Sequence, residues 1–230
     1  MQKRLVRKLD LEKAISKVKP HPTPRAYLEQ YTISTETTAK ILHIAAYTYD
    51  DIIGKTIMDL GCGTGRLAIG AVLVGAKEAF GVDIDREAIR MAHNNAEKLG
   101  VKERTHWIIA DIDVMRGSFD TVLQNPPFGV QRKGADRKFL EKSLKLGYRV
   151  YSLHKSGKSN REFAEGSRER GARFVPVSPS PFLKRFIEKH GGEIKAVYAM
   201  RMTIPHMFDF HKKRKHEFMV GLYVIEGKKV

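Results

Sequence analysis

The sequence predicts an α/β protein: a Rossmann-like, seven-stranded, mostly parallel sheet with helices on both faces. Three observations carry that expectation. From about residue 56, short apolar runs alternate with helical patterns, the rhythm of βαβ units. A glycine-rich turn follows the first run, where doubly wound sheets wrap a ligand. Asp59, Asp83 and Asp111 fall at the ends of the first three runs, on the side where such a sheet opens its crevice.

At 230 residues the chain is long enough for one sizeable core and short for two full domains. Residues 1–50 read as a helical extension packed on a core of residues 51–230. In the extension, LVRKLDLEKAISKV puts Leu5, Leu9, Ile15 and Val18 at roughly helical spacing. PHPTP follows, and Pro20, Pro22 and Pro24 make it a stiff, extended connector. Ser34 is placed to cap a second helix, TETTAKILHIAAYTY, which ends before Gly54.

The core begins with the buried-type strand Thr56–Leu60 and a helix that ends near Gly75. Strand Ala79–Ile84 and helix Arg86–Leu99 come next, with Gly100 as the stop. Strands His106–Ala110 and Phe119–Gln124, helix Asp136–Gly147 and strand Arg149–Leu153 continue the rhythm. Ile194–Thr203 and Glu217–Ile225 complete the seven. Residues 155–181 are polar, with Gly, Ser and Pro interspersed, and read as a mobile surface insertion with one short helix.

The net charge is +16, from 42 Lys and Arg against 26 Asp and Glu. A polyanion partner, nucleic acid before membrane, suits that balance. No apolar run has the length of a membrane span, and MQKRLVRKLD has no apolar stretch of signal-peptide type. One cysteine excludes an internal disulfide framework and fits the reducing cytoplasm. The nine histidines are scattered, and no Cys/His cluster has zinc spacing, so no metal is expected.

The glycine turn reads Asp59-Leu60-Gly61-Cys62-Gly63-Thr64-Gly65-Arg66. Arg66 stands where the nicotinamide fingerprint needs its last glycine, so that fingerprint fails. Asp83 is suited to accept both hydroxyls of a ribose, and Asp111 to accept from an adenine amine; Asp85 and Asp113 read as helix caps or solvent-facing acids. The combination points to S-adenosylmethionine, which has no pyrophosphate and leaves as S-adenosylhomocysteine. Cys62 lies in the loop with no base beside it in sequence and reads as a structural thiol. That argues against methylation at pyrimidine carbon, which uses a covalent cysteine.

The fourth strand runs into QNPPFGV, residues 124–130. Two prolines cannot continue a strand, because each lacks the N–H a ladder needs. Asn125 is thereby presented at the strand's carboxyl end, near the methyl donor. An exocyclic amine on an aromatic ring is a poor nucleophile, because its lone pair is delocalised. The Asn125 side-chain oxygen and the Pro126 carbonyl are two acceptors for its hydrogens, and they favour a pyramidal nitrogen. Pro126 and Pro127 fix the carbonyl in advance. Phe128 offers a stacking face, worth about 1–3 kcal/mol.

Past the sixth strand, residues 205–216 mix aromatics with cations: Phe210, His211, Lys212, Lys213, Arg214 and Lys215 suit phosphates and unstacked bases. KRLVRK at the start and QRKGADRK after Gly129 could widen that surface.

Taken together, these stretches resemble the methyltransferase-like protein 5 family, RNA adenine methyltransferases of class I fold. The resemblance rests on LEQY (28–31), DLGCGTGRLAIG (59–70), GVDID (81–85), FDTVLQNPPFG (119–129), VYSLHK (150–155) and FHKK (210–213). It implies cofactor contacts at Gln30, Gly61, Thr64, Arg66, Asp83, Asp111 and Ile112, and a catalytic Asn125-Pro126-Pro127-Phe128. It implies N6-methylation of an adenosine in small-subunit ribosomal RNA. It also implies a small zinc-ribbon activator paired along a sheet edge, for which the third strand, with Trp107, is placed. A family Pro-Thr after the LEQY tyrosine is Thr32-Ile33 here, which implies a lost side-chain contact to the cofactor. Residues 155–181 are also longer than the family norm.

Residue chemistry alone leaves other acceptors open. The guanine 2-amino group also uses an N-P-P-F loop, and a protein glutamine amide poses the same lone-pair problem. The glutamine reading predicts an acidic or apolar docking surface rather than +16. A non-catalytic RNA-binding scaffold is disfavoured by the intact Asn125 and glycine turn.

Overall fold

A computed structural model describes residues 6–129, 131–156, 175–205 and 215–228. Among them the chain forms α1 (Lys8–Ile15), α2 (Thr35–His43), β1 (Thr56–Leu60), α3 (Arg66–Val74), β2 (Glu78–Asp83) and α4 (Arg86–Lys98). Then come β3 (Thr105–Ile109), β4 (Phe119–Gln124), α5 (Ala135–Leu146), β5 (Gly147–Lys155), β6 (Val175–Pro176), α6 (Pro181–Lys189), β7 (Glu193–Pro205) and β8 (Lys215–Glu226). The strands make one sheet in the order β3-β2-β1-β4-β5-β8-β7-β6. β1 to β5 pair in parallel, whereas β8 pairs antiparallel with both β5 and β7.

The parallel strands are apolar on both faces because helices cover both. Successive residues feed opposite cores: Ile57, Leu123 and Tyr151 join the cluster under α1, α2 and α3, while Met58, Val122 and Val150 join that under α5 and α6. α3, RLAIGAVLV, is apolar nearly all round and therefore needs cover on its outer side. α1 and α2 supply it. They approach so closely at Gly70 that a Cβ there would overlap Leu42 Cδ1. Ser34 does cap α2, its Oγ accepting from the Thr37 N–H, and the helix runs on through a π turn, Ile44–Thr48.

Three expectations need correction. Leu9 is 59% exposed; the buried face of α1 is set by Leu11 and Ile15 and continued by Val18, the spacing of one helical stripe. The sheet has eight strands among the described residues, not seven. The extra strand, β6, falls within the expected insertion of residues 155–181, where Val175 pairs with Ala199. Lys155 belongs to β5, and Pro181 opens α6 at the helical position that spares a proline's missing N–H. Residues 157–174 lie outside the described residues.

Candidate active site

Strand register assembles the site. Leu60 pairs with Val82 on one side and Gln124 on the other. The chains leaving β1, β2 and β4 therefore emerge side by side as Gly61, Asp83 and Asn125. Asp83 pairs with Ile109 in β3, which brings Ala110 and Asp111 to the same rim. Gly61, Gly63 and Gly65 all have positive φ, which lets the turn coil back over the strand ends.

A cavity of 310 Å³ opens above that rim. It is lined by Asp59, Gly61, Gly63, Thr64, Arg66, Asp83, Asp111, Ile112, Asn125 and Pro127 from the core, and by His21 and residues 27–33 from the extension. Gln30 lines it too, but its amide is engaged: Oε1 accepts from the Arg25 N–H at 2.7 Å and Nε2 donates to Asp85 at 2.8 Å. Gly65 is not in the wall. It faces Trp107, and a Cβ there would lie 2.5 Å from that ring. Pro126 and Phe128 are likewise outside the lining. Phe128 instead meets Phe218 edge-on, ring centres 5.6 Å apart, with Lys155 Nζ 5.7 Å over its ring.

The acids are held by backbone N–H groups. Asp83 accepts from Gly63 at 2.8 Å and from Asp85 at 2.9 Å, so one carboxylate ties the glycine turn to β2. Burial raises its pKa against those bonds. Asp59, beneath the turn, accepts from Ala68 at 3.1 Å; burial pushes it up to about 7, and its Oδ1 has no hydrogen-bond partner. Asp85 caps α4 through the Glu87 N–H. Asp111, not Asp113, caps the short 3-10 turn Ile112–Val114, because it is the residue with extended backbone just before the turn. That N–H bond and Lys138, 3.0 Å away, hold Asp111 below the usual carboxylate range. Burial and the neighbouring carboxylates Asp59 and Asp83 push the Cys62 thiol up, so it stays protonated.

Arg66 is a half-buried cation that makes no ion pair with the carboxylates around the cavity: its guanidinium donates to the backbone carbonyls of Ile33 and Val18, and partial burial lowers its pKa. Asn125 Nδ2 donates to the Tyr31 carbonyl at 3.2 Å, and its Oδ1 is buried without a partner.

Sequence reasoning missed Glu29. It accepts from the Phe128 N–H at 2.7 Å and the Gln131 N–H at 2.8 Å. It also missed His21, which is buried beside Asp85 with its Nε2 3.3 Å from that carboxylate. Neither contact has a local signal, since each partner lies far away in the chain. Of the basic stretch, Phe210, His211, Lys212, Lys213 and Arg214 lie outside the described residues. Lys215 opens β8, but its side chain is not described.

Comparison with known proteins agrees with this geometry. Residues 34–126 match the family model for ribosomal protein L11 methyltransferase. An uncharacterized protein of Methanocaldococcus jannaschii is 38% identical over 96% of this chain and 95% of its own. The rRNA N(6)-adenosine-methyltransferase Mettl5 of Drosophila melanogaster is 31% identical over 94% of each chain. A crystal structure of a candidate RNA methyltransferase from Pyrococcus horikoshii superposes with a TM-score of 0.81 at 33% identity, covering 98% of this chain and 100% of that one. A glycine turn, a ring of strand-end acids and an N-P-P-F loop on one rim, with relatives this similar over nearly their whole length, place the chain in the methyltransferase-like protein 5 family.

Proposed function

We propose that this protein transfers a methyl group from S-adenosylmethionine to N6 of an adenosine in ribosomal RNA, in the small subunit. The observation that carries the reading is the buried, unpartnered Oδ1 of Asn125 at the cavity wall, an acceptor with nothing to accept.

The cavity suits the donor. Its volume is in the range of small-molecule sites, and it joins carboxylates to a half-buried cation in one wall. Asp83 has lone pairs left for ribose hydroxyls, Asp111 and Ile112 flank an adenine position, and Arg66 complements a carboxylate. When bound, S-adenosylmethionine supplies an electrophilic methyl on a positively charged sulfur. In this reading Asn125 Oδ1 accepts one hydrogen of the adenine amine, and the carbonyl of Pro126, itself outside the cavity lining, accepts the other. Both contacts draw the nitrogen lone pair out of the ring. Pro126 and Pro127 keep that carbonyl from swinging, so little reorganisation is left for the reaction itself. Alignment of nitrogen and methyl then supplies most of the acceleration; the nitrogen would gain the methyl as the carbon–sulfur bond breaks to leave a neutral thioether, and the methylated amine would release one proton to solvent.

Phe128, next in the chain to the lining residue Pro127 and beside Lys155, provides an aromatic face and a cation for an unstacked nucleotide. Phe210, His211, Lys212, Lys213, Arg214 and Lys215 extend the RNA surface, a reading supported by the charge of +16. β3 ends the sheet on its side, which supports a small zinc-ribbon activator adding a strand near Trp107. Residues 1–50 are read as an extension, of which the described part, residues 6–50, covers α3 and one wall of the cavity. The cytoplasm suits a single buried thiol. Among the described residues no helix is long and apolar enough to cross a membrane.

The test is methylation of RNA oligomers whose only purine is adenine or guanine, with products resolved by mass spectrometry. N6-methyladenosine from the first and nothing from the second is expected. Methyl on guanine alone would overturn the assignment. Mass spectrometry of ribosomal RNA from cells with and without the protein then locates the nucleotide.

A further inference from the structure

Both oxygens of one buried carboxylate are spent on the backbone of the N-P-P-F loop. Glu29 is 6% exposed, and its Oε2 and Oε1 accept from the N–H groups of Phe128 and Gln131. It holds this place at φ 52°, a left-handed conformation that non-glycine residues rarely adopt. Such strain persists only where surrounding contacts over-determine it. Here a short 3-10 turn, Ala26–Leu28, closes on Glu29, and the Tyr31 N–H donates to the Glu29 carbonyl at 2.7 Å. Two residues on, the Tyr31 carbonyl takes a hydrogen of the Asn125 amide. One five-residue segment, 29–33, thus grips the loop at its backbone and at its reactive side chain while also walling the cofactor cavity.

We propose that Glu29 is a positioning residue for methyl transfer: its carboxylate clamps the loop so that the Pro126 carbonyl and Asn125 Oδ1 converge on one amine. Pro126 and Pro127 have no N–H, so the loop cannot brace itself through ordinary turn hydrogen bonds. The first N–H groups available after them are those of Phe128 and the residues beyond, and Glu29 takes Phe128 and Gln131. A carboxylate is suited to this, since it only accepts and can meet two donors at once. The neighbouring Gln30 faces the other way, to Arg25 and Asp85, so the segment is fastened on both sides of the cavity. The inference rests on the catalytic assignment of Asn125.

Full-length Glu29→Ala and Glu29→Gln are compared with the parent in three measurements: S-adenosylmethionine affinity by calorimetry, kcat and KM on an adenosine-containing RNA, and amide exchange by NMR. In Glu29→Ala, kcat falls by about 10²-fold, the scale of a small misplacement, while cofactor Kd and RNA KM stay within about threefold. The amides of Phe128 and Gln131 exchange at least ~10-fold faster, and those of β1 and β4 are unchanged. Glu29→Gln, nearly isosteric and so the safer fold, keeps one acceptor; one of the two amides stays protected and kcat still drops. Unaltered kcat in both variants, or loss of cofactor binding in step with kcat, would overturn the proposal. If the parent itself methylates no adenosine, the functional reading fails, while unchanged exchange at Phe128 and Gln131 would separately refute the clamp.

Discussion

The side-chain amide of Asn125 is oriented by Tyr31: Nδ2 donates to the Tyr31 carbonyl at 3.2 Å, which turns Oδ1 away, buried and unpaired. The carbonyl can only accept, so the NH₂ must face it and the oxygen must be the free end. An acceptor left buried without a donor costs free energy in the resting protein, and in the proposed function a substrate amine hydrogen would recover it. Asn125→Ala is therefore expected to lose about 10²–10³-fold in kcat, the scale of removing one preorganised hydrogen-bonding group, with cofactor affinity within about threefold. Calorimetry and initial rates measure the two separately. Unchanged turnover would remove Asn125 from the chemistry.

Phe128 makes a second, separable prediction. Its ring lies outside the cofactor cavity, edge-on to Phe218 and under Lys155. Removing it should spare cofactor binding and weaken RNA. Phe128→Ala is expected to lose about 1–3 kcal/mol of RNA affinity, the range for one base–aromatic stack. Fluorescence anisotropy with a labelled oligomer reads that loss. A fall in S-adenosylmethionine affinity instead would place the ring over the cofactor.

How much of this was legible beforehand depended on distance along the chain. The strands β1 and β4 follow from local apolar pattern and end where the sequence places them, at Leu60 and Gln124. Asn125 could be set beside the glycine turn because doubly wound topology fixes which strand ends are neighbours. Glu29 could not. Its partners lie 99 and 102 residues away, and nothing in LEQY marks the acid as a clamp rather than a solvated charge. Leu9 misled for the opposite reason: an apolar residue near a helical stripe reads as buried until the neighbouring helix shows where the stripe lies. β6 was hidden because two residues, one of them proline, carry no periodic signal.

Gly65 and Trp107 give a test of packing behind the site. Gly65 has φ 85°, and a Cβ would lie 2.5 Å from Trp107 Cη2. Gly65→Ala therefore suffers twice, from backbone strain and from overpacking, with an expected loss of about 2–4 kcal/mol in denaturant unfolding. Trp107→Leu makes room for the methyl group but does nothing for φ. In the double variant part of the Gly65→Ala penalty should vanish, a coupling of about 1 kcal/mol or more. Strict additivity would show that the ring moves aside freely and that the glycine is required for its conformation alone.

His154 sets a pH limit on the fold. It is 3% exposed, its Nε2 lies 2.8 Å from Ser152 Oγ, and Ser152 in turn accepts from Gln124, the residue before Asn125. Burial lowers its pKa to about 4. A histidine depressed in the folded state favours folding while neutral. That contribution is complete above the unfolded value near 6.5 and is lost as pH falls through the folded value. At most it amounts to about 3 kcal/mol. Asp59 works in the opposite sense: its raised pKa, about 7, gives stability that is lost as pH rises, so the parent's curve alone mixes the two. The informative quantity is the difference in stability between the parent and His154→Gln, because Asp59 is common to both. That difference should be constant above pH 7 and shift against the parent between pH 6.5 and 4, by up to the same ~3 kcal/mol. Thermal melts across that interval measure it; a difference that stays flat would mean that His154 takes up its proton without cost and that the Gln124–Ser152–His154 chain does not depend on a neutral imidazole.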